Sequence, residues 1–479
     1  MSSTKQTVFA NFVWKFFEKI SVQLFSFIVT IVLARILCPN DYGIIAMITV
    51  FINLANVIID GGLSSALIQK KDTNETDFST IFVVSLLVSS MLYVILYFSA
   101  NSIAVFYSTP SLVLAIRVLS VTLFLYAYNS IQRAYIAKKM LFKKLFLVNF
   151  VSVILSGILG VVLAYKGFGL WALIWYNITT SALSTFFTAL TINWRPSFQI
   201  SVRSFRELFG FGWKIFITNI LTSLFTNIRS LIIGKVYTSG MLAYFDRGKQ
   251  LSSLLMDNIN SSMQTVLFPV LSNEQDDFIR VKSMIRRSIS VSCLFSFPLM
   301  IGLFATARPL ILILLTEKWI GAVPFVQIFC VSYLLYPMQV ATQEAIKSLG
   351  YSEVTLKVEI IKKIAEVLIL IVTVSISAYA IAIGVILFNL ISLVINFYPN
   401  FRYLSYSPID LVKDCYKPLC AALLMGFCIY PLNYLNINTY FILLIQMLFG
   451  VFLYYIFCLL FRNENIMYIK DTIISALKN

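Results

Sequence analysis

The chain has 479 residues, of which 59% are apolar and only 12% charged, and its mean hydropathy is +0.87. A water-soluble chain carries roughly 25% charged residues, so folding in water would leave more apolar surface than the few polar groups could cover, and a soluble enzyme is excluded. There is no histidine, so imidazole takes no part in any base, proton relay or metal site, and the formal net charge of +16 leaves nucleic acid to be accepted or rejected on where the basic residues lie.

A membrane-spanning helix needs about 20 largely apolar residues. Such stretches run near 11–36, 42–68, 79–99, 111–131, 145–165, 169–192, 212–234, 240–271, 288–306, 322–346, 358–376, 377–399, 415–435 and 437–461. The expected fold is therefore an all-α membrane protein of about fourteen transmembrane helices, with no hydrophilic stretch long enough for a separate domain. The polar start, Met1 to Thr7, is short, and no small-residue cleavage site follows the first helix, which is expected to remain as an anchor. The second, eighth and tenth spans are long or polar, which predicts tilting or breakage.

Basic residues orient the chain. One set of alternate segments carries Lys5, the 133–144 cluster, Arg195, Arg203, Arg206, the 280–287 cluster, Lys362, Lys363 and others, 25 in all, against Arg35, Lys166, Lys235, Arg308 and Lys318 on the other side. Both termini are thus expected in the cytoplasm, and the excess positive charge is accounted for without nucleic acid. The seven cysteines, Cys38, Cys293, Cys330, Cys415, Cys420, Cys428 and Cys458, include no Cys-x-x-Cys pair and read as buried small hydrophobes rather than a zinc site or a disulfide framework.

A repeat appears at a spacing of about 200 residues. Trp14-Lys15-x-Phe in the first span returns as Trp213-Lys214-x-Phe in the seventh, and Arg35 and Tyr42 are matched by Lys235 and Tyr244. Copies offset by six helices share one orientation, as in transporters built from parallel repeats. This divides the chain into a six-helix bundle at 1–200, a second at 201–405, and two further helices with a cytoplasmic tail at 406–479.

Polar residues at helical spacing mark a face turned to protein or water. The first span carries Asn11, Lys15, Glu18, Lys19, Gln23, Ser26 and Thr30; the second carries Thr49, Asn53, Asn56 and Asp60. The seventh shows Thr218, Asn219, Thr222, Ser223, Thr226, Asn227 and Ser230, and the eighth Asp246, Gln250, Ser253, Asp257, Ser261 and Gln264. These are the first two helices of each half, and the simplest arrangement gathers them around a central hydrated cavity. Seven basic residues fall inside spans: Lys15, Lys19, Arg117, Lys214, Arg229, Arg247 and Lys249. Lys15 can snorkel to the cytoplasmic headgroups, Glu18 can pair with Lys15, and Arg117 and Lys214 suit interface anchors. Arg229, Arg247 and Lys249 lie deeper, and an unpaired charge in hydrocarbon costs at least ~2.5–3.5 kcal/mol. Asp246 and Asp257 offer partial neutralisation in a structural ion-pair network. The sharper reading is a cation-bearing cavity that attracts a phosphate or pyrophosphate headgroup, which arginine grips through two parallel hydrogen bonds. Glu18, Asp60, Asp246 and Asp257 are the candidates for binding a coupling proton or cation. No glycine-rich phosphate loop precedes a Lys-Ser/Thr pair and no Ser/His/Asp set is possible, so neither an enzyme nor any cofactor is expected, and transport would draw on an ion gradient, the membrane potential or the substrate's own gradient.

Several short segments, in order, carry a resemblance: Leu33-Ala34-Arg35-Ile36-Leu37 with Pro39-Asn40-Asp41-Tyr42-Gly43; Asp60-Gly61-Gly62-Leu63 running into Ala66-Leu67-Ile68-Gln69; and Arg133 with its basic tail. After these come Gly167-Phe168-Gly169-Leu170-Trp171-Ala172-Leu173, Leu242-Ala243-Tyr244-Phe245-Asp246-Arg247, and Phe268-Pro269 ahead of Asn273-Glu274-Gln275. Together they resemble the polysaccharide transporter (Wzx-type flippase) branch of the multidrug/oligosaccharidyl-lipid/polysaccharide exporter superfamily, of the colanic-acid and teichuronic-acid exporter type; the likeness fades after about residue 350. The resemblance implies a bacterial plasma-membrane flippase for a polyprenyl-pyrophosphate-linked oligosaccharide that alternates between inward- and outward-open states. It implies membrane lipids, a proton or sodium counter-ion and polysaccharide polymerase machinery as partners. It also places headgroup-binding cations on the first and eighth helices, where Lys15, Lys19 and Arg247 stand; lysine replaces arginine on the first. Rival readings are a drug/cation antiporter of the same superfamily, which would favour a cavity dominated by carboxylates; a membrane glycan polymerase or ligase, which commonly carries a large outer loop not found here; and a non-transporting scaffold, which would have no use for the polar stripes.

The topology yields a direct test. A reporter active only in the cytoplasm should be active when fused after Lys139 and silent when fused after Lys166; the opposite pattern overturns the orientation.

Overall fold

Long apolar runs interrupted by short polar turns leave the backbone one way to satisfy its own polar groups in hydrocarbon, the α-helix. The computed structural model describes residues 20–462, and no strand occurs among them. Fourteen helices follow one another among the described residues. They are α1 (Ile20–Ile36), α2 (Pro39–Gln69), α3 (Glu75–Phe106), α4 (Leu112–Lys139), α5 (Phe142–Tyr165), α6 (Leu170–Thr191) and α7 (Val202–Val236). The rest are α8 (Ser239–Asn273), α9 (Phe278–Leu315), α10 (Glu317–Ser348), α11 (Ser352–Val374), α12 (Ala378–Leu404), α13 (Pro408–Tyr434) and α14 (Thr439–Leu460). Ten of them are long and apolar enough to cross a membrane.

The expected irregularities are realised unevenly. The second span breaks after Asp60, where Gly61 (φ +53°) and Gly62 (φ +70°) take left-handed conformations that a side chain would resist. The tenth opens as a tight turn at Glu317–Ala322 and is interrupted again between Tyr333 and Tyr336, ahead of Pro337. The eighth is continuous, with Pro269 inside its last turns. A further break, at Ser120 and Val121 in α4, was not foreseen. α7 begins ten residues before the apolar run that predicts it, carrying Arg203 and Arg206 on a helical extension. Among the cysteines, Cys293, Cys330, Cys415 and Cys458 are buried as expected, but Cys38, Cys420 and Cys428 are exposed.

The chain gathers into two compact units, Met1–Ala243 and Tyr244–Asn479. In the first, α7 packs along α2, the two helices approaching through small residues. A Cβ on Gly62 would stand 2.2 Å from the Gly212 carbonyl oxygen, and one on Gly43 would stand 1.8 Å from that of Ser239. The turn before α3 is fixed by a reciprocal cap: the Asn74 side chain accepts from the Asp77 amide (2.8 Å), and the Asp77 carboxylate from the Asn74 amide (3.1 Å). Lys70 lies between Asp77 and Glu207, 3.1 Å from each. Burial of that ammonium opposes its charge, but the two carboxylates outweigh it and hold the pKa above the ordinary lysine value. A core of Leu67, Phe78, Ile81, Ile131, Trp194 and Leu208 closes around this turn.

In the second unit, α9 is the central helix. Its buried face, Val281, Ile285, Ile289, Cys293, Phe297 and Ile301, repeats every four residues and packs with Ala422, Met425 and Ile429 of α13. At one end of this contact the Arg286 guanidinium grips Asp414 with two prongs (2.7 and 2.9 Å), while the buried Tyr406 hydroxyl donates to the same carboxylate (2.9 Å). Removing one partner of a buried pair leaves the other charge desolvated, at a cost of roughly 3–5 kcal/mol when burial is complete. The Arg286 side chain keeps 36% of its exposure and Asp414 10%. Arg286→Ala should therefore destabilise the protein by about 2–3 kcal/mol, read as a lowered unfolding temperature in detergent, and Asp414→Asn should do the same. Unchanged thermal stability in both variants would remove this grip from the fold's support.

Candidate functional site

Lys15, Glu18 and Lys19, the first-helix candidates, lie outside the described residues. The other candidates fall on α2, α7 and α8. Asp60 ends the first segment of α2 beside the two left-handed glycines and is partly buried. A carboxylate at a helix C-terminus opposes the helix dipole, so helix stability alone does not explain an aspartate there.

On α7, Arg229 falls on the flank that carries Lys214, Thr218, Thr222 and Thr226. The threonine hydroxyls turn back onto their own helix: Thr218 donates to the Lys214 carbonyl (3.0 Å), Thr222 to Thr218 (2.8 Å) and Thr226 to Thr222 (2.8 Å). Asn227 likewise donates to the Ser223 carbonyl at 2.8 Å. The stripe thus satisfies itself and remains exposed, and only 11% of the most apolar stretch of this helix is buried, against 50% for α2. Arg229 is partly buried.

The polar residues of α8 from Asp246 to Gln264 fall within one face about 80° wide at 3.6 residues per turn. On the opposite side runs the packed face: Gly248, where a Cβ would stand 2.5 Å from that of Phe325, and Ser252, whose hydroxyl donates to the Val326 carbonyl at 3.3 Å. As on α7, stripe hydroxyls return to the backbone: Ser253 to Gln250 (3.3 Å) and Ser261 to Asn258 (3.2 Å). Asp246 is partly buried and Asp257 exposed. Arg247 and Lys249, both partly buried, are not brought together: two positions apart on a helix, they point about 160° away from each other. Arg247 lies on the flank of the stripe, where its Nη1 donates to Gln250 Oε1 (2.5 Å) and its guanidinium carbon stands 5.7 Å from the centre of the Trp319 ring. Lys249 lies on the other flank of the same stripe.

Arg117 donates to the Tyr97 carbonyl (3.3 Å) with its guanidinium 4.4 Å from the Tyr97 ring centre. The repeat-related tyrosines also do alike work. Tyr42 donates to the Thr30 carbonyl at 3.3 Å and Tyr244 to the Lys318 carbonyl at 3.0 Å, each tying the start of its helix to a neighbouring segment.

Two features escaped the sequence reading. Trp319 lies between predicted spans, yet it is fully buried beside Arg247. Lys362 and Lys363, counted with the cytoplasmic edge, stand about 15 Å into α11 at 1.5 Å per residue. Lys362 pairs with Glu359 (2.5 Å) and Lys363 with the buried Glu366 (2.9 Å), and Gln343 of α10 donates to Glu359 (2.8 Å). The three-residue spacing of opposite charges was the available signal for these pairs.

Among known proteins, the chain is 27% identical over 288 residues to the teichuronic acid biosynthesis protein TuaB of Bacillus subtilis (strain 168), covering 59% of each. It is 23% identical over 307 residues to the lipopolysaccharide biosynthesis protein WzxC of Escherichia coli (strain K12), covering 64% of this chain and 62% of that one. The match thus spans about three-fifths of the length of these relatives. The fold is similar to that of the lipid II flippase MurJ in an inward closed conformation, with a TM-score of 0.75 and 18% identity over 96% of this chain and 100% of that one. The family described as polysaccharide biosynthesis protein matches residues 32–324, more than half of the sequence, and to that family the chain belongs.

Proposed function

We propose that this chain is a flippase that carries a polyprenyl-pyrophosphate-linked oligosaccharide, the repeat unit of a surface or secreted polysaccharide, from the cytoplasmic to the outer leaflet of a bacterial plasma membrane. The observation that carries the reading is Arg247: a partly buried guanidinium about 12 Å along α8 from its start, on the flank of a polar face that carries two hydroxyls bonded to their own backbone. A charge carried into a membrane is costly and functional by default, and an arginine fork matches the paired oxygens of a phosphate. Family membership and the MurJ-like fold support the same direction, as do the names of relatives that serve teichuronic acid and lipopolysaccharide synthesis.

In this reading Lys15, Lys19, Arg229 and Lys249 join Arg247 in attracting the pyrophosphate, and Glu18, Asp60, Asp246 and Asp257 are the groups that would bind a coupling proton or sodium ion. The bodies assigned to the alternating movement are the repeats at 1–200 and 201–405, with the helices at 406–479 as an addition. Both termini are cytoplasmic, polysaccharide polymerase machinery takes the product, and no bond is made or broken. Among the described candidates the partly buried cations Arg229, Arg247 and Lys249 outnumber the partly buried carboxylates Asp60 and Asp246, which favours this reading over a cationic-drug antiporter.

The test is Arg247→Ala. Loss of a charge-assisted hydrogen bond is worth about 1.5–3 kcal/mol, so glycan export should fall about 10- to 100-fold at unchanged protein level in the membrane. Arg247→Lys, which keeps the charge but not the fork, should fall between. Normal export by well-expressed Arg247→Ala protein would remove Arg247 from the mechanism, and raised drug susceptibility of a deletion strain would favour the antiporter.

A further inference from the structure

Resting on the reading that Arg247 receives the anionic headgroup, we propose that Trp319 is its positioning residue, and that Gln250 holds the guanidinium only until an anionic oxygen replaces it. The two partners differ in kind. Trp319 is fully buried in the turn Glu317–Ala322. Its ring is backed by Tyr244, at 6.1 Å between centroids and 77° between planes, and the Tyr244 hydroxyl donates to the neighbouring Lys318 carbonyl at 3.0 Å. Gly321 lets that tyrosine lie flush with the turn, since a Cβ there would stand 2.6 Å from the ring. The turn opens on Thr316 at φ +79°, a conformation a β-branched residue adopts only when its surroundings impose it. Trp319 is therefore a fixed support.

Gln250 is the opposite. It is exposed, lies on the polar stripe, and offers Arg247 a neutral amide oxygen. A phosphate oxygen forms the stronger, charge-assisted bond, so exchange of Gln250 for a phosphate runs downhill while the ring stays in place. Attraction to an aromatic ring uses none of the guanidinium's hydrogen-bond donors, so Trp319 can hold the cation in place without itself occupying an N–H group.

The experiment is titration of the full-length chain in detergent with inorganic pyrophosphate, alongside unfolding temperatures. Trp319→Leu should weaken binding about tenfold, and Trp319→Phe, which keeps a ring, should return it to within about threefold of wild type. Gln250→Ala should tighten binding about two- to threefold by removing the internal competitor. Should Trp319→Leu not fold, Tyr244→Phe frees the turn from one hydrogen bond while keeping the ring, and should still weaken binding a few fold. Wild-type affinity in Trp319→Leu, or in Tyr244→Phe where that is the folded variant, overturns the positioning role. Unchanged or weakened binding in Gln250→Ala overturns the exchange. Wild-type affinity in Arg247→Ala, by contrast, would sink the headgroup assignment itself.

Discussion

Hydrocarbon supplies no hydrogen-bond partner, so each polar group that this chain carries into the membrane must bring its partner along or face water. The threonines of α7 and the serines of α8 bring theirs by folding back onto the preceding turn of the same helix. That solution meets part of a helix's polar needs within the helix itself, while others reach across, as Ser252 of α8 does to the Val326 carbonyl. A stripe satisfied in this way can turn toward protein, water or a passing headgroup without leaving an orphaned donor, which is what a surface that meets different surroundings requires. Polar ladders between helices behave otherwise. Asn389 binds Ser332 at 2.6 Å, and the Asn400 side chain donates to the Thr342 carbonyl at 2.9 Å, which ties α12 to α10 and makes separation of the two expensive.

The same constraint sorts the charges. Lys362 with Glu359 and Lys363 with Glu366 neutralise each other along one helix, and Arg286 with Asp414 does so between two. These pairs hold structure and leave little field for a ligand. Arg247 also meets an indole and an amide oxygen, groups that carry no formal charge.

Much of this was legible in the amino-acid sequence because hydrocarbon imposes a length and a composition. The number of helices and the polar faces of α7 and α8 follow from counting residues and turns. Helix ends were less legible. The extension of α7 through Val202–Gly212 is amphipathic rather than apolar, and its Leu208 is buried among Phe78 and Trp194, a tertiary contact that no hydropathy window contains. Trp319 was missed for a related reason: a tryptophan in a short polar connection looks like an interfacial residue, and only the folding of the turn against Tyr244 reveals it as buried. The continuity of α8 through Pro269 could have been anticipated, because a proline breaks a helix far less when little helix remains beyond it.

Arg247 and Lys249 show how far adjacency in sequence can mislead about a site. Read as a chain they form a basic cluster; wound at 3.6 residues per turn they face nearly opposite ways. A group held against Arg247 therefore leaves the Lys249 side chain turned away, and two basic residues that are near neighbours in sequence do not make one clamp on α8.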